Sequence, residues 1–330
     1  MNHKAPDYRL VVNGQDITPK INGRLIDLTV TTKRGDDADT LSLTLSDHDG
    51  ALEIPPKGAE IQVAFGWRGQ ALEDKGTFTV DDAEFSGPPD IISISARAAD
   101  MRGDLPTRKT RSWHETTVGD LVTTIADNHG LEPVIGSALA GRAIEHLDQT
   151  DESDLNLVTR LAEQHDAIAT VKSGRLLFAP KGQAETVSGK AMPLITITQG
   201  DGDGYRYAEK DRDNYTGVIA YYNDLDTGEQ NPVQAGTDER TKRLRGTYAN
   251  QQEANAAAVA ELNRIKRGEA EFSITLATGR PEIGPEFRLR VQGLKRQINE
   301  REWVVSSVAH SVSDSGLVTS LDAETGNSEG

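Results

Sequence analysis

Between Thr40 and Ser46 the apolar residues fall on every second position, Leu41, Leu43 and Leu45, with Ser and Thr between them. The same two-residue period returns at Ile61, Val63, Phe65 and Trp67. Successive side chains of a strand point to opposite faces, so this pattern predicts strands with one face buried. Segments 77–85 and 91–97 continue it, with punctuation at Pro55-Pro56, Gly66, Gly69 and Gly87-Pro88-Pro89. The first hundred residues therefore read as an antiparallel barrel or sandwich.

From Met101 to Trp113 the alternation gives way to what reads as a basic loop carrying Arg102, Arg108, Lys109 and Arg111. The period then changes. Val118, Leu121, Val122, Ile125 and Ala126 share one helical stripe, with Thr116 or Thr117 as cap and Gly130 as the C-terminal stop. A second helix is expected to open within Asp151-Glu152-Ser153-Asp154, where carboxylates favour a helix N-terminus, and to end near His165 or Asp166. Residues 167–172 and 175–179 read as a hairpin across Ser173-Gly174.

Strands return at 194–198 and 218–222, separated by the acidic Gly200-Asp201-Gly202-Asp203-Gly204, where long loops are expected. A third helix opens on Asn250 with Glu253 three residues on, a capping-box pattern, and closes on Lys266 and Arg267 before Gly268. Its alanines point to close packing on a sheet. Segments 272–278, 287–291, 303–310 and 317–322 again read as strands. The fold class is α+β, mainly β: two barrel-like β domains, 1–105 and 181–330 (the second with one helix), flank a smaller mixed helix and hairpin module at 106–180.

A chain of 330 residues buries its core without covalent staples, and it has no cysteine, which excludes disulfides, thiolate metal sites and a cysteine nucleophile. No apolar run approaches the ~20 residues of a membrane span or forms a leader, so no stable membrane insertion is expected. The net charge of −16 opposes phosphate backbones, so specific nucleic-acid binding is not expected either. The charge is uneven: ten acids against four bases over 201–240, then twelve bases against seven acids over 241–301. Such asymmetry fits solvated faces, or complementarity between neighbouring subunits.

Chemical motifs are scarce. Gly182 and Gly189-Lys190 have the wrong spacing for a phosphate loop, and Ala191 stands where its hydroxyl belongs. No Gly-x-Ser-x-Gly elbow or His-Glu-x-x-His pair occurs. Asp47-His48-Asp49-Gly50 and Asp201-Gly202-Asp203-Gly204 begin like calcium loops but lack the distal glutamate and read as tight turns. His129 and His165 fall at helix ends and read as structural, as does Arg102-Gly103-Asp104 in a polar loop. Paired carboxylates of the glycosidase kind leave no sequence signature, which keeps a hydrolase among the alternatives. The sequence thus assigns no catalytic residue, no cofactor site and no metal site.

Lys109-Thr110-Arg111-Ser112-Trp113 followed by the helix at 117–131 resembles the opening of the middle module of the phage late control protein D family. Gln149 to Leu155, Leu161-Ala162-Glu163 and the hairpin Ser173 to Phe178 are similar to that family in order and spacing. So are Ala277 to Gly284, Val291-Gln292-Gly293, Trp303-Val304-Val305, Val308-Ala309-His310 and Gly316 to Leu321. These are contractile-tail baseplate hub proteins, related to the hub region of type VI secretion spikes.

The resemblance implies a non-enzymatic homotrimer whose pseudo-sixfold ring joins the tail tube protein to the central spike protein, with tape measure and other baseplate proteins as further partners. It implies a place in the virion tail, or in a headless tailocin particle, assembled in the bacterial host cytoplasm. It also implies a ring whose carboxylates repel passing DNA. His310, in the segment most like the family, reads as a packed or interface side chain. The rival readings are a tail-associated cell-wall hydrolase and a DNA-binding late-gene regulator using Lys242-Arg243-Leu244-Arg245, for which no helix-turn-helix pairing is evident.

Overall fold

The computed structural model describes residues 4–35, 38–98, 105, 107–172, 174–184, 190–209, 215–224 and 227–326. Arg102-Gly103-Asp104, Ser173 and Gly189 lie outside the described residues. The chain is mainly β. Its first seven strands are β1 (Pro6–Val12), β2 (Gln15–Asp16), β3 (Leu25–Lys33), β4 (Thr40–Ser46), β5 (Glu60–Trp67), β6 (Glu73–Ser86) and β7 (Ile91–Ala98). They pair antiparallel in the order β3-β4-β7-β6-β5-β1-β2. The alternating residues that predict these strands are the ones buried: Leu41, Leu43, Leu45, Ile61, Val63, Phe65 and Trp67 form one core with Leu28 and Val30.

The mixed module contains β8 (Arg108–Thr117), α2 (Val118–Asn128), β9 (Glu132–Ile135), β10 (Ala143–Ser153), α4 (Asp154–Gln164), β11 (Ala167–Lys172) and β12 (Arg175–Pro180). Two single-turn helices accompany these elements, α1 (Thr18–Ile21) in the first region and α3 (Ser137–Ala140) in the mixed module. The apolar stripe of α2 is buried as its spacing predicts, against Leu157, Val158 and Leu161 of α4 and Leu176 and Phe178 of β12. Thr117 accepts from the Asp120 N–H and Ser153 from the Asn156 N–H, each supplying an N-terminal cap.

One expectation is corrected here. Residues 108–113 are not a loop but the first half of β8, paired antiparallel with β10. Hydrophobic periodicity misses this strand because much of what it turns inward is cationic, and carboxylates meet it across the ribbon.

The C-terminal region holds β13 (Leu194–Thr198), β14 (Gly202–Glu209), β15 (Gly217–Asn223), β16 (Gln230–Gly236), β17 (Thr241–Arg243), α5 (Gln251–Arg267), β18 (Ala270–Leu276), β19 (Arg288–Gln292), α6 (Arg296–Asn299), β20 (Trp303–Ser313) and β21 (Gly316–Thr325). Strands β14-β18-β21-β20-β19-β13 follow one another in one sheet around Phe272, Ile274, Trp303, Val305 and Leu321.

The glycine-rich stretch where long loops are expected is instead a short turn closed by Thr198 and Asp201, leading directly into β14. Glycine supplies no alternation to read. At Gly202 its lack of a side chain is what admits the neighbouring strand: a Cβ there would sit 2.7 Å from the Ile274 side chain. Strands β15, β16 and β17 form a separate small sheet. Against it α5 packs Ala254, Ala258 and Leu262, the close approach its alanines predict.

The two β regions are continuous. β3 pairs antiparallel with β20 from Ser307↔Lys33 to Ser313↔Asp27, which merges them into one 13-stranded sheet. Val312 and Leu317, from the far end of the chain, complete the N-terminal core.

Candidate functional site

Where the three regions meet, charged groups separated by up to 290 residues are drawn together under cover. Arg34, just past β3, donates from Nη1 to Glu286 Oε1 at 3.1 Å and from Nη2 to Glu324 Oε1 of β21 at 2.5 Å. Arg267, at the end of α5, lies 3.3 Å from the same Glu324 oxygen through Nε. Its Nη1 donates to Asp166 Oδ2 at 2.6 Å, and its Nη2 to the other carboxylate oxygen.

Both guanidinium groups are almost fully covered, at 6% and 3% exposure. A planar fork of five donors is the cation suited to such a place, since it satisfies several carboxylate oxygens at once. Burial pushes the Glu286 carboxyl above its usual range against the opposing charge of Arg34. Burial, and then the charges of Arg34 and Arg267, pulls the Lys181 ammonium down. Gly182, with φ at +68°, brings the backbone against this cluster: a Cβ there would lie 2.5 Å from Arg267 Cδ. That packing is what its glycine serves.

A second polar node sits inside the mixed module. Asp154, the first residue of α4, is fully buried and takes hydrogen bonds from Lys109 Nζ (2.6 Å), Arg111 Nη2 (2.6 Å) and Gln149 Nε2 (2.8 Å), with His129 Nε2 at 2.8 Å. Burial alone would raise its pKa; the bonds from Lys109, Gln149 and His129 and the charge of Arg111 outweigh it and hold the carboxyl at about 2. The node ties β8, β10, α2 and α4 together at one carboxylate. His129 thus does more than end α2. His165 ends α4, its Nδ1 without a hydrogen-bond partner, and burial and the nearby Arg142 push its pKa down to about 4.

His310 lies on the seam between the β regions, on β20 opposite Val30 of β3 and Thr319 of β21. It is wholly buried, its ring edge-on to Phe65 at 5.7 Å. Nε2 faces the Ile283 carbonyl at 3.0 Å, an acceptor only, so Nε2 carries the proton. Nδ1 then accepts from the Thr319 hydroxyl at 2.9 Å, while the Arg280 N–H donates to that hydroxyl oxygen. The imidazole is a packed side chain with both nitrogens used. Nearby, Trp67 Nε1 donates to the Gly279 carbonyl at 3.1 Å and Lys75 Nζ to that of Pro281, joining β5 and β6 to the loop before β19.

The remaining sequence candidates are also spent on structure. Asp47 accepts from the Leu52 N–H and Asp49 binds the Arg24 guanidinium through both oxygens. Asp201 caps its turn through Thr198. In the basic tetrapeptide, Lys242 pairs with Glu261 and Arg243 stacks on Tyr221. Among the described residues no three His, Asp or Glu side chains are grouped to hold a metal ion, and no helix is long and apolar enough to cross a membrane.

The family model for the phage tail baseplate hub (GPD) matches residues 20–316. The chain belongs to that family. The "Probable baseplate hub protein" of Escherichia phage 186 is 40% identical to it over 361 residues, spanning 97% of this chain and 93% of the relative. Among solved structures, the 43 kDa tail protein of prophage MuSo2 from Shewanella oneidensis shares the fold, with a TM-score of 0.70, 15% identity and coverage of 97% and 98% of the two chains. The E. coli c3393 protein, a type VI secretion component described as similar to the T4 tail proteins gp27 and gp5, matches with a TM-score of 0.56 and 13% identity over 92% of this chain and 74% of its own.

The protein is accordingly a structural component of the phage tail, a baseplate hub and not an enzyme. This sets aside the cell-wall hydrolase and regulator readings. The side chains that matter most to such a part are those that lock its regions together. Sequence reasoning missed the junction of Arg34, Glu286 and Glu324 because its members lie far apart in the chain. The Asp154 node left one signal: a basic run and an acidic helix start, each without a partner of its own.

Proposed function

We propose that three copies of the chain form a ring that joins the tail tube to the central spike. Supporting this most directly is the side-by-side placement of two sheet units in each chain, β3-β4-β7-β6-β5-β1 and β14-β18-β21-β20-β19-β13, joined at β3 and β20. Two hairpins, β3-β4 and β20-β21, back onto each other across that seam. Three chains carrying two such units each present six, which suits a sixfold tube on one side and a threefold spike on the other.

In this reading residues 1–105 and 181–330 are the β units and 106–180 the mixed module, with Val312 and Leu317 reaching across into the first unit's core. Assembly takes place in the bacterial host cytoplasm, with tape measure and other baseplate proteins as further neighbours. The excess of carboxylates keeps DNA from adhering to the ring. Native mass measurement of the purified chain, alone and with the tube and spike proteins of its own particle, tests the proposal. Three times the chain mass, or a 3:3 complex with the spike, is expected; a monomer that binds neither protein overturns it.

A further inference from the structure

The ribbon of β8 and β10 carries an exposed histidine pair that lies outside the charged junction and the Asp154 node. His114 and His146 are direct cross-strand partners. Both are exposed, their rings 4.7 Å apart between centroids and tilted by 37°, and their Nδ1 atoms face each other at 3.0 Å. Asp148, two residues along β10 from His146, meets the other nitrogen of that ring, Nε2, at 3.1 Å. Asp148 is itself fixed by the Ser112 hydroxyl, which donates to it at 2.6 Å from across the ribbon.

We propose that His114 and His146 bind one divalent transition-metal ion through their Nδ1 atoms, with Asp148 as the outer carboxylate that orients His146. The distance fits: two metal–nitrogen bonds of roughly 2.0–2.1 Å at a tetrahedral angle place the nitrogens about 3.3 Å apart, close to the 3.0 Å between them. The proton inventory fits too. A carboxylate accepts only, so the proton of His146 belongs on Nε2 and its Nδ1 lone pair is turned toward His114, whose own Nδ1 proton moves to Nε2 through solvent as the ion binds.

Metal-bound histidines commonly hand their second N–H to a carboxylate in this way. Imidazole pairs select Cu2+, Zn2+ or Ni2+ over Mg2+ and Ca2+, which prefer all-oxygen sites. The described residues supply two ligands, and water takes the remaining positions. The bound ion would pin β8 to β10 in a ribbon that, among the described residues, pairs with no third strand.

Calorimetric titration of the full chain with CuCl2 and ZnCl2 tests this. One ion per chain is expected, with affinity at least tenfold lower in His114→Ala and in His146→Ala. Asp148→Asn is expected to weaken binding by roughly tenfold, as outer-carboxylate changes do. All three positions are exposed, so these variants keep the fold. As a second readout on the unaltered chain, Cu2+ should broaden the imidazole resonances of these two histidines before those of His48. The proposal is overturned if the double variant binds Zn2+ as tightly as the parent, if MgCl2 is bound equally well, or if the His48 resonance broadens first.

Discussion

Arg267 grips Asp166 with both terminal nitrogens of its guanidinium, Nη1 donating at 2.6 Å, so the last turn of α5 is fastened to the turn that follows α4. The Thr325 hydroxyl meets the carbonyls of Lys266 and Arg267 at 2.7 and 2.9 Å, which also ties that helix end to β21. Arg34, bound to the Glu324 that Arg267 also meets, brings the N-terminal region to the same point, so all three regions are held there by groups whose charges cannot be left unmatched.

Removing that arginine should therefore cost more than its contacts alone. Arg267→Ala strands Asp166 with little water and leaves Glu324 to Arg34 alone, and breaking a covered pair from one side costs about 3–5 kcal/mol. Asp166→Asn leaves a neutral hydrogen-bonding group behind and is expected to cost clearly less. Urea unfolding of the two variants beside the parent checks the order; equal midpoints for all three would show the junction to be energetically idle.

The Asp154 node makes a prediction about acid. The unfolded carboxyl titrates near 3.9, whereas in the fold it is held at about 2. Its contribution is therefore fully present above about pH 5 and is lost as pH falls from there through the folded value, a change of about 2 kcal/mol. Asp154→Asn leaves Lys109 and Arg111 without their anion and is less stable than the parent at pH 7. The gap should narrow steadily between pH 5 and pH 2 in urea titrations, and a gap independent of pH would refute the assignment.

Which parts of this architecture were legible beforehand follows from how each strand or helix is stabilised. Leu41, Leu43 and Leu45 announce β4 because one of its faces is dry, and the stripe from Val118 to Ala126 announces α2 for the same reason. β8 stays hidden because Lys109 and Arg111 turn inward to Asp154, so its pattern reads as polar although its role is structural. β14 stays hidden because Gly202 and Gly204 carry no side chain to alternate. The seam of β3 and β20 joins residues some 280 positions apart, and local pattern cannot report such a pairing. The absence of catalytic motifs was readable at once; the Arg34 junction and the His114–His146 pair needed three dimensions.

The helix caps offer a local check. Thr117, Ser153 and Asn250 each accept a hydrogen bond from an N–H in the first turn of α2, α4 and α5. Replacing each by Ala should cost about 1 kcal/mol. Asn250→Asp keeps the oxygen that accepts from the Glu253 N–H and loses only the 3.3 Å donation to Glu253 Oε1, so it should keep most of the cap where Asn250→Ala does not. Hydrogen exchange along α5 should report the difference as faster exchange in its first turn alone, with the amides of α2 unaffected.

His310 carries the last prediction. Burial, and then the charge of Lys75, pushes its pKa down to about 3, whereas the unfolded imidazole titrates near 6.5. The unfolded chain therefore takes up a proton that the folded one refuses. Stability is fully present above the unfolded value and is lost as pH falls from about 6.5 toward 3, by an amount on the order of 4 kcal/mol. His165, lowered to about 4, adds the same slope between pH 7.5 and pH 5.5 and a smaller total change below it. Between pH 7.5 and pH 5.5 ordinary carboxylates stay ionised, so urea midpoints over that range isolate the histidines. His310→Gln can still donate to the Ile283 carbonyl but cannot be protonated, and about half of the slope should vanish with it. Because His310 lies on the seam between β3 and β20, the protection factors of the β3 amides should fall further between pH 7.5 and pH 5.5 in the parent than in this variant.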